Sequence, residues 1–352
     1  MSSIRKISAL WRERLRGPAP RAGGLLLGGG AALLAGAVAN HLLARQTERR
    51  QPPQGKFVTV DGVRLHYLEQ GAGPPIVLIH GNVVTAEDFR LSGLLDRLAE
   101  NHRVIAFDRP GYGYSDRPRT KIWTARAQAL HLLSALEAVG MEQPLIVAHS
   151  WGTLVALHMA LEEPDRVAGL VLMSGYYWPT LRLDAPLASG PAIPLFGDIM
   201  RFTVSPALGR LTAPLVLKKM FAPAKVPPAF RSWFRGGMGL RPSQIRASAA
   251  DAALMPIEAA RLAPRLTEVR GLALVLAGTE DKVVSFESHT GRLARELMGG
   301  QVHAVEGVGH MVHHTAAAEV VAAIAAFETQ VRPTGAAQPA PASQAAPGSA
   351  EL

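Results

Sequence analysis

The stretch Leu145–Thr153, LIVAHSWGT, sets four apolar residues ahead of a histidine, a serine, a tryptophan and a glycine. A short, continuous apolar run of this kind reads as a strand buried on both faces, and the residues after Gly152 read as the start of a helix. Ser150 therefore falls at a strand-to-helix turn on the carboxyl edge of a sheet, where open α/β folds bind ligands. Ala148, two residues before the serine, and Gly152, two after it, are small enough for a sharp turn. Together they give the pattern G-x-S-x-G with alanine at the first glycine. The same residues would also suit a serine that merely caps a helix, so its surroundings must decide between nucleophile and cap.

Outward from this stretch the chain alternates. KFVTV and VRLHYLE read as a hairpin about Asp61-Gly62, followed by the apolar runs PIVLIH, RVIAFD, PLIVAH, VAGLVLMS and LALVLAG, with QVHAV as a last strand. Between most of them lie segments of helical periodicity at Ala86–Ala99, Trp123–Val139 and Leu154–Glu162. Strand and helix in alternation predict an α/β fold with a mostly parallel sheet covered by helices on both faces. The alternation breaks between about 176 and 263, where prolines cluster; an insertion of that length is expected to be a helical cap.

A serine hydroxyl attacks a carbonyl only when a base takes its proton and an acid orients the base. AGTEDKVV puts Asp281 just beyond the strand Leu272–Gly278, and VEGVGHMVHH puts His310 in a glycine-flanked loop after the last strand. The order serine, aspartate, histidine is the one expected when all three occupy loops at one sheet edge. Glu280 rivals Asp281, and His313 and His314 rival His310, although these two fall at the start of the final helix. Attack on a carbonyl also needs N–H donors for the oxyanion. Trp151 offers one from its backbone, and the LIHGNVV loop offers a second at Asn82 or Val83. His80 is expected to bond loop backbone.

In this order HGN, DRPGYGYSDRP, AHSWG, GTEDKVV and GVGHM resemble the α/β-hydrolase superfamily, in the branch with a helical cap after the sixth strand. The resemblance spans about Lys56–Val331 and implies an eight-stranded sheet, Ser150 as nucleophile, His310 as base and then acid, and Asp281 as orienting acid. It implies Asn82, Val83 and Trp151 at the oxyanion site, a structural turn at Asp108–Asp116, and no metal or organic cofactor. Asn82 and Trp151 are also similar to the halide-binding pair of haloalkane dehalogenases. Those enzymes and epoxide hydrolases attack with aspartate, so a serine points instead to an acyl-enzyme. The expected activity is hydrolysis of a small, apolar carboxylic ester, with Tyr176–Trp178, Leu195, Phe196, Phe202 and Met255 either lining the cap pocket or filling the cap core. The alternatives are hydrolysis of a carbon–carbon bond in a β-diketone-like compound, a dehalogenase- or epoxide hydrolase-like enzyme, or a ligand-binding protein without turnover.

Composition bounds what else the chain can do. The formal charge of +9 comes mostly from the first 54 residues, which hold nine Lys/Arg but only Glu13 and Glu48 as acids. The remaining domain, 55–332, is nearly balanced and has no basic run interleaved with aromatics, which excludes a nucleic-acid partner and leaves a small-molecule substrate. Without cysteine there is no disulfide or thiol nucleophile. Residues 22–44 carry no Asp, Glu, Lys or Arg and are long enough to span a bilayer, with Arg5, Lys6, Arg12, Arg14, Arg16 and Arg21 on one flank. The reading is a single-pass membrane protein with an extracytoplasmic domain, or one exported after signal cleavage near Ala39. A polar linker follows at Arg45–Gly55, and the Ala/Pro-rich stretch 333–352 is expected to be a disordered tail.

Overall fold

The protein's computed structural model describes residues 19–180 and 188–332, so the expected tail at 333–352 and the basic residues 1–18 lie outside the described residues. A long first helix, α1 (Ala19–Arg50), precedes the sheet. The hairpin strands β1 (Lys56–Val60) and β2 (Val63–Gln70) are joined through Asp61 and Gly62, both at positive φ (49° and 73°), as a tight two-residue hairpin turn requires. Strands β3 (Pro75–Ile79), β4 (Arg103–Phe107), β5 (Leu145–His149), β6 (Gly169–Met173), β7 (Ala273–Gly278) and β8 (Gly300–Val305) complete one eight-stranded sheet in the order β1-β2-β4-β3-β5-β6-β7-β8. Only the pairings β1/β2 and β2/β4 are antiparallel. From β4 to β8 every neighbour is parallel, with β5 central between β3 and β6.

The central strands are apolar on both faces because both faces are covered; every residue of β5, β6 and β7 is buried. On one side Ile146, Ala148, Leu172 and Val275 pack under α4 (Ala125–Ala138) and α5 (Gly152–Glu162). On the other, Leu78, Val147, Val171 and Leu276 meet α2 (Glu87–Leu91), α3 (Leu94–Ala99) and the final helix through Phe89, Leu95, Ile324 and Phe327. Each such fully buried aliphatic or aromatic side chain contributes about 1.5–3 kcal/mol.

Between β6 and β7 the described chain is helical: α6 (Phe196–Phe202), α7 (Ser205–Phe221), α8 (Pro228–Arg235) and α9 (Pro242–Leu262). Phe221, Phe230, Trp233 and Phe234 form a separate apolar cluster with Val84 and Met311, so these helices rest on the loops at the carboxyl edge of the sheet.

The membrane expectation for residues 22–44 is overturned. No helix of the described residues is long and apolar enough to cross a membrane, because the stretch owes its apolar character to Ala and Gly with few large side chains. Its later half is seated on the cap instead. Asn40 Nδ2 donates to the carbonyls of Phe202 (3.0 Å) and Thr203 (2.8 Å), and Thr47 Oγ1 donates to the carbonyl of Gly236 (2.8 Å). The single-pass topology, and with it cleavage near Ala39 inside this continuous helix, is replaced by a helix docked against the domain.

Candidate active site

β5 ends at His149, and Ser150 takes a left-handed backbone conformation (φ 53°) that costs a non-glycine residue on the order of 1–3 kcal/mol. The turn is held by Ser150 N–H donating to Met173 O (2.8 Å) and by Thr153 N–H and Oγ1 donating to Ser150 O (3.0 and 2.6 Å). It also needs close backbone approach. A Cβ at Gly152 would lie 2.5 Å from Ile79 O and 2.7 Å from His80 O, which explains glycine there, while Ala148 fits the first small position.

The loop that leaves β7 at the carboxyl edge of the sheet supplies Asp281 through a tight turn. Its Oδ1 accepts the backbone N–H groups of Val283 (2.7 Å) and Val284 (2.9 Å), which fixes the carboxylate and leaves Oδ2 facing His310 Nδ1 at 2.8 Å. Glu280 turns outward and pairs with Lys282 at 2.8 Å on the surface. His310 is buried in the loop after β8, and its Nε2 lies 3.1 Å from Ser150 Oγ. An ionised carboxylate only accepts, so Nδ1 carries the proton and Nε2 offers its lone pair to the serine hydroxyl. His313 and His314 reach a different acid: their Nε2 atoms contact the two oxygens of Asp88 at 2.9 and 2.7 Å.

The loop after β3 lies against the serine. A Cβ on Gly81 would sit 3.0 Å from Ser150 Cβ. Asn82 and Val83 behave differently from one another: Val83, at φ 72°, donates its backbone N–H to Asn82 Oδ1 (2.8 Å). That oxygen also accepts from Ser248 Oγ (2.6 Å) and lies 2.7 Å from Tyr112 Oη; the Val83 N–H is thus already engaged. The backbone N–H groups of Asn82 and Trp151 are then the candidate oxyanion donors. The side-chain donors of the same two residues are bound to carbonyls of α9: Asn82 Nδ2 to Ser248 O (3.1 Å) and Trp151 Nε1 to Asp251 O (3.0 Å). The single indole N–H of Trp151 is therefore committed to the helix, while Asn82 Nδ2 spends one of its two N–H groups there.

Behind the loop, His80 bonds backbone as expected, through Nδ1 to Gly81 O (2.7 Å) and Nε2 from Arg109 N–H (2.9 Å). Burial, helped by the Arg109 charge, pushes this imidazole down to about 3 and keeps it neutral. The fully buried Arg109 donates to His80 O and Gly81 O (2.9 Å each) and stacks between the rings of Tyr112 and Trp151, 4.5 Å from each. Its charge is met by Asp251 of α9 (2.6 Å), which also accepts from Arg117 and Tyr112. Arg109, Tyr112 and Asp251 were not among the residues singled out from the sequence. Arg109 and Tyr112 belong to the DRPGYGY turn, and a buried aspartate opposite two arginines has no local signature.

Of the aromatic stretch, Tyr176, Tyr177 and Trp178 are buried around His289, whereas Leu195 and Phe196 face outward, 81% and 58% exposed. Tyr177 and Trp178 pack into the main core beside the sheet and Tyr176 into a small cluster with Ala259 and Val284, so none of the three belongs to the cap's own apolar cluster, and Leu195 and Phe196 are exposed.

Residues 76–323 match the model of a family described as the alpha/beta hydrolase family. A 2-hydroxymuconate semialdehyde hydrolase of Pseudomonas sp. (strain CF600) is 29% identical over 289 residues, covering 76% of this chain and 92% of that protein. A haloalkane dehalogenase of Mycolicibacterium paratuberculosis is 26% identical over 276 residues, covering 76% and 88%. Among solved structures, a membrane phospholipase A described as a bacterial virulence factor superposes with a TM-score of 0.62 at 25% identity, covering 89% of this chain and 98% of that one.

Proposed function

The chain belongs to the α/β hydrolase family, and from that premise we propose that it is a serine hydrolase working through an acyl-enzyme with Ser150, His310 and Asp281. The observation that carries the proposal is the pair of contacts at His310: Nε2 at 3.1 Å from Ser150 Oγ and Nδ1 at 2.8 Å from Asp281. In this reading His310 takes the serine proton as Oγ bonds to the substrate carbonyl carbon. The oxyanion is met by the backbone N–H groups of Asn82 and Trp151, which act on charge present only in the tetrahedral species. Collapse breaks the bond to the leaving group, which receives the proton from His310; water then repeats the sequence and releases the acid.

For the bond cleaved, similarity to the 2-hydroxymuconate semialdehyde hydrolase along most of both chains supports a carbon–carbon bond next to a carbonyl ahead of a plain carboxylic ester. Water is added across that bond, its hydroxyl ending on the acyl carbon and its proton on the departing carbon. The ester reading keeps one specific support, the phospholipase A likeness that extends over 89% of the chain. Dehalogenation is disfavoured by a serine at the elbow and by the indole N–H of Trp151, which is committed to Asp251 O. Labelling with a fluorophosphonate probe tests the nucleophile. Wild type is expected to label and Ser150→Ala to stay unlabelled; labelling that survives the substitution refutes the assignment. Assaying p-nitrophenyl esters beside a 2-hydroxy-6-oxo-dienoate then separates the two bond classes, and labelling without turnover of either indicates a binding protein.

A further inference from the structure

Directly behind His310 lies a second, wholly buried set of imidazoles around one carboxylate, which the proposed reaction does not use. Asp88, on α2, is fully buried, and its two oxygens each meet one imidazole: Oδ2 meets His313 Nε2 at 2.9 Å and Oδ1 meets His314 Nε2 at 2.7 Å. Burial pushes the Asp88 carboxyl up, but the two histidines outweigh it and hold it well below the usual carboxylate range. Because an ionised carboxylate only accepts, both imidazoles carry their proton on Nε2. The His313 ring in turn packs at a tilt against His149, with ring centroids 4.5 Å apart, and the His149 ring is 4.9 Å from that of His310. His149 Nε2 lies 3.1 Å from the backbone carbonyl of His310 and donates to it.

The set joins three parts of the site that must keep register to within a fraction of an ångström for proton transfer. Asp88 sits six residues after Asn82, on the helix that leaves the oxyanion loop. His149 is the residue before Ser150. His313 and His314 are three and four residues beyond His310. A buried carboxylate without partners would cost several kcal/mol, so the pairing fixes α2 to the histidine loop with an energy that surface contacts do not supply. The ligating atoms of Asp88, His149 and His313 lie within 4.8 Å of one another, and Asp88 Oδ2 already stands at hydrogen-bond distance, 2.9 Å, from His313 Nε2. The arrangement is that of a hydrogen-bonded clamp.

We propose that Asp88 is a positioning residue which, through His313, His314 and His149, holds the general-base loop against the oxyanion loop and the nucleophile elbow. This rests on the serine hydrolase reading above. Removal of the carboxylate loosens the distance between His310 Nε2 and Ser150 Oγ without touching the substrate, so it acts on the rate of serine activation and leaves binding alone.

The test is the rate of fluorophosphonate inactivation in Asp88→Asn, with the extent of labelling at completion reporting the folded, competent fraction. The expected result is full final labelling at a rate lowered at least tenfold, and with a turned-over ester a kcat lowered in parallel with KM within threefold. The charged and titratable groups facing the cluster are Asp88 from α2, His149 from β5, His310, His313 and His314 from the last loop, and His80 and Asp281 beyond them. Loss of the Asp88 charge disfavours a protonated imidazole among them, so the acid limb of the inactivation rate moves to lower pH, a change that a purely structural role would not produce. If Asp88→Asn does not fold, His313→Gln keeps an N–H donor toward Asp88 and His313→Phe removes it. Gln is expected to retain most of the rate and Phe to lose it. A rate within twofold of wild type in folded Asp88→Asn, or equal rates in the two His313 variants, overturns the proposal. Labelling that persists in Ser150→Ala overturns instead the reading on which it stands.

Discussion

Replacing Asp251 by alanine is the most direct test of how the cap is fastened to the catalytic half. Its carboxylate, with no solvent exposure, accepts from Arg109 Nη1 at 2.6 Å, from Arg117 Nη1 and Nη2 at 3.0 Å each and from Tyr112 Oη at 2.9 Å. Arg109 is equally buried and Arg117 nearly so, so the substitution leaves two guanidinium groups facing an emptied site. Removing one partner of a buried ion pair costs about 3–5 kcal/mol, well above the deletion of an ordinary surface contact. For a domain of this size that lowers Tm by roughly 10 °C. Burial raises the Asp251 carboxyl, but Arg117 and Arg109 bring it below its ordinary value. Its contribution is therefore present above about pH 4 and lost as the pH falls further, where wild type and variant converge. Urea denaturation at pH 7, at pH 3.5, where the loss has only begun, and at pH 2 measures both effects. Exchange of Asp251 for Leu together with Arg109 for Met should recover part of the loss, since the charges are then removed together. A pH 7 deficit below about 1 kcal/mol for Asp251→Ala would falsify the view that this network secures the cap.

Two further outcomes follow from the geometry. Gly81→Ala places a methyl group 3.0 Å from Ser150 Cβ and 3.2 Å from His149 Nδ1; with both neighbours held rigidly, fluorophosphonate labelling should slow at least tenfold while stability falls by only about 1–3 kcal/mol. Unchanged labelling would show that the loop yields instead. Several histidines are buried and neutral: burial is the leading cause that lowers His80 to about 3 and His158 to about 4, and it also depresses His149 and His313. In each case the unfolded chain binds a proton that the fold rejects, so stability falls as pH drops below about 6.5, by about 1.4 kcal/mol per unit for each such group. Stability that stays level between pH 7 and pH 5 contradicts this assignment of neutral imidazoles.

The sheet was legible because its signals are local: short apolar runs at regular spacing, the Asp61-Gly62 turn, and small residues on either side of Ser150 each constrain only their own neighbourhood. The approach of Asp281 and His310 to Ser150 was legible through chain order, since loops that leave parallel strands at the same end share one edge. What could not be read are pairings across the chain. Asp88 lies 225 residues from His313, and Asp251 lies 142 from Arg109. Nothing in the local sequence marks either carboxylate as buried, because its partners decide that. The choice between Asn82 and Val83 was equally hidden, turning on which backbone N–H the Asn82 side chain captures.

The first helix shows the complementary failure, a local signal that was present and misread. Absence of charge over residues 22–44 is necessary for a membrane span but says little about how much hydrocarbon is offered, and alanine and glycine offer little. The same small residues let two helices approach closely: a Cβ at Gly36 would stand 4.0 Å from the Thr203 backbone, and four residues on Asn40 bonds the carbonyls that end α6. An asparagine that satisfies two otherwise open carbonyls at a helix end is worth more against protein than in lipid, where its own amide would need a partner. Asn40 and Thr47 lie seven residues apart, two turns of helix on one face, and both donate to cap backbone. That spacing is the sequence feature which distinguishes a docked helix from a span.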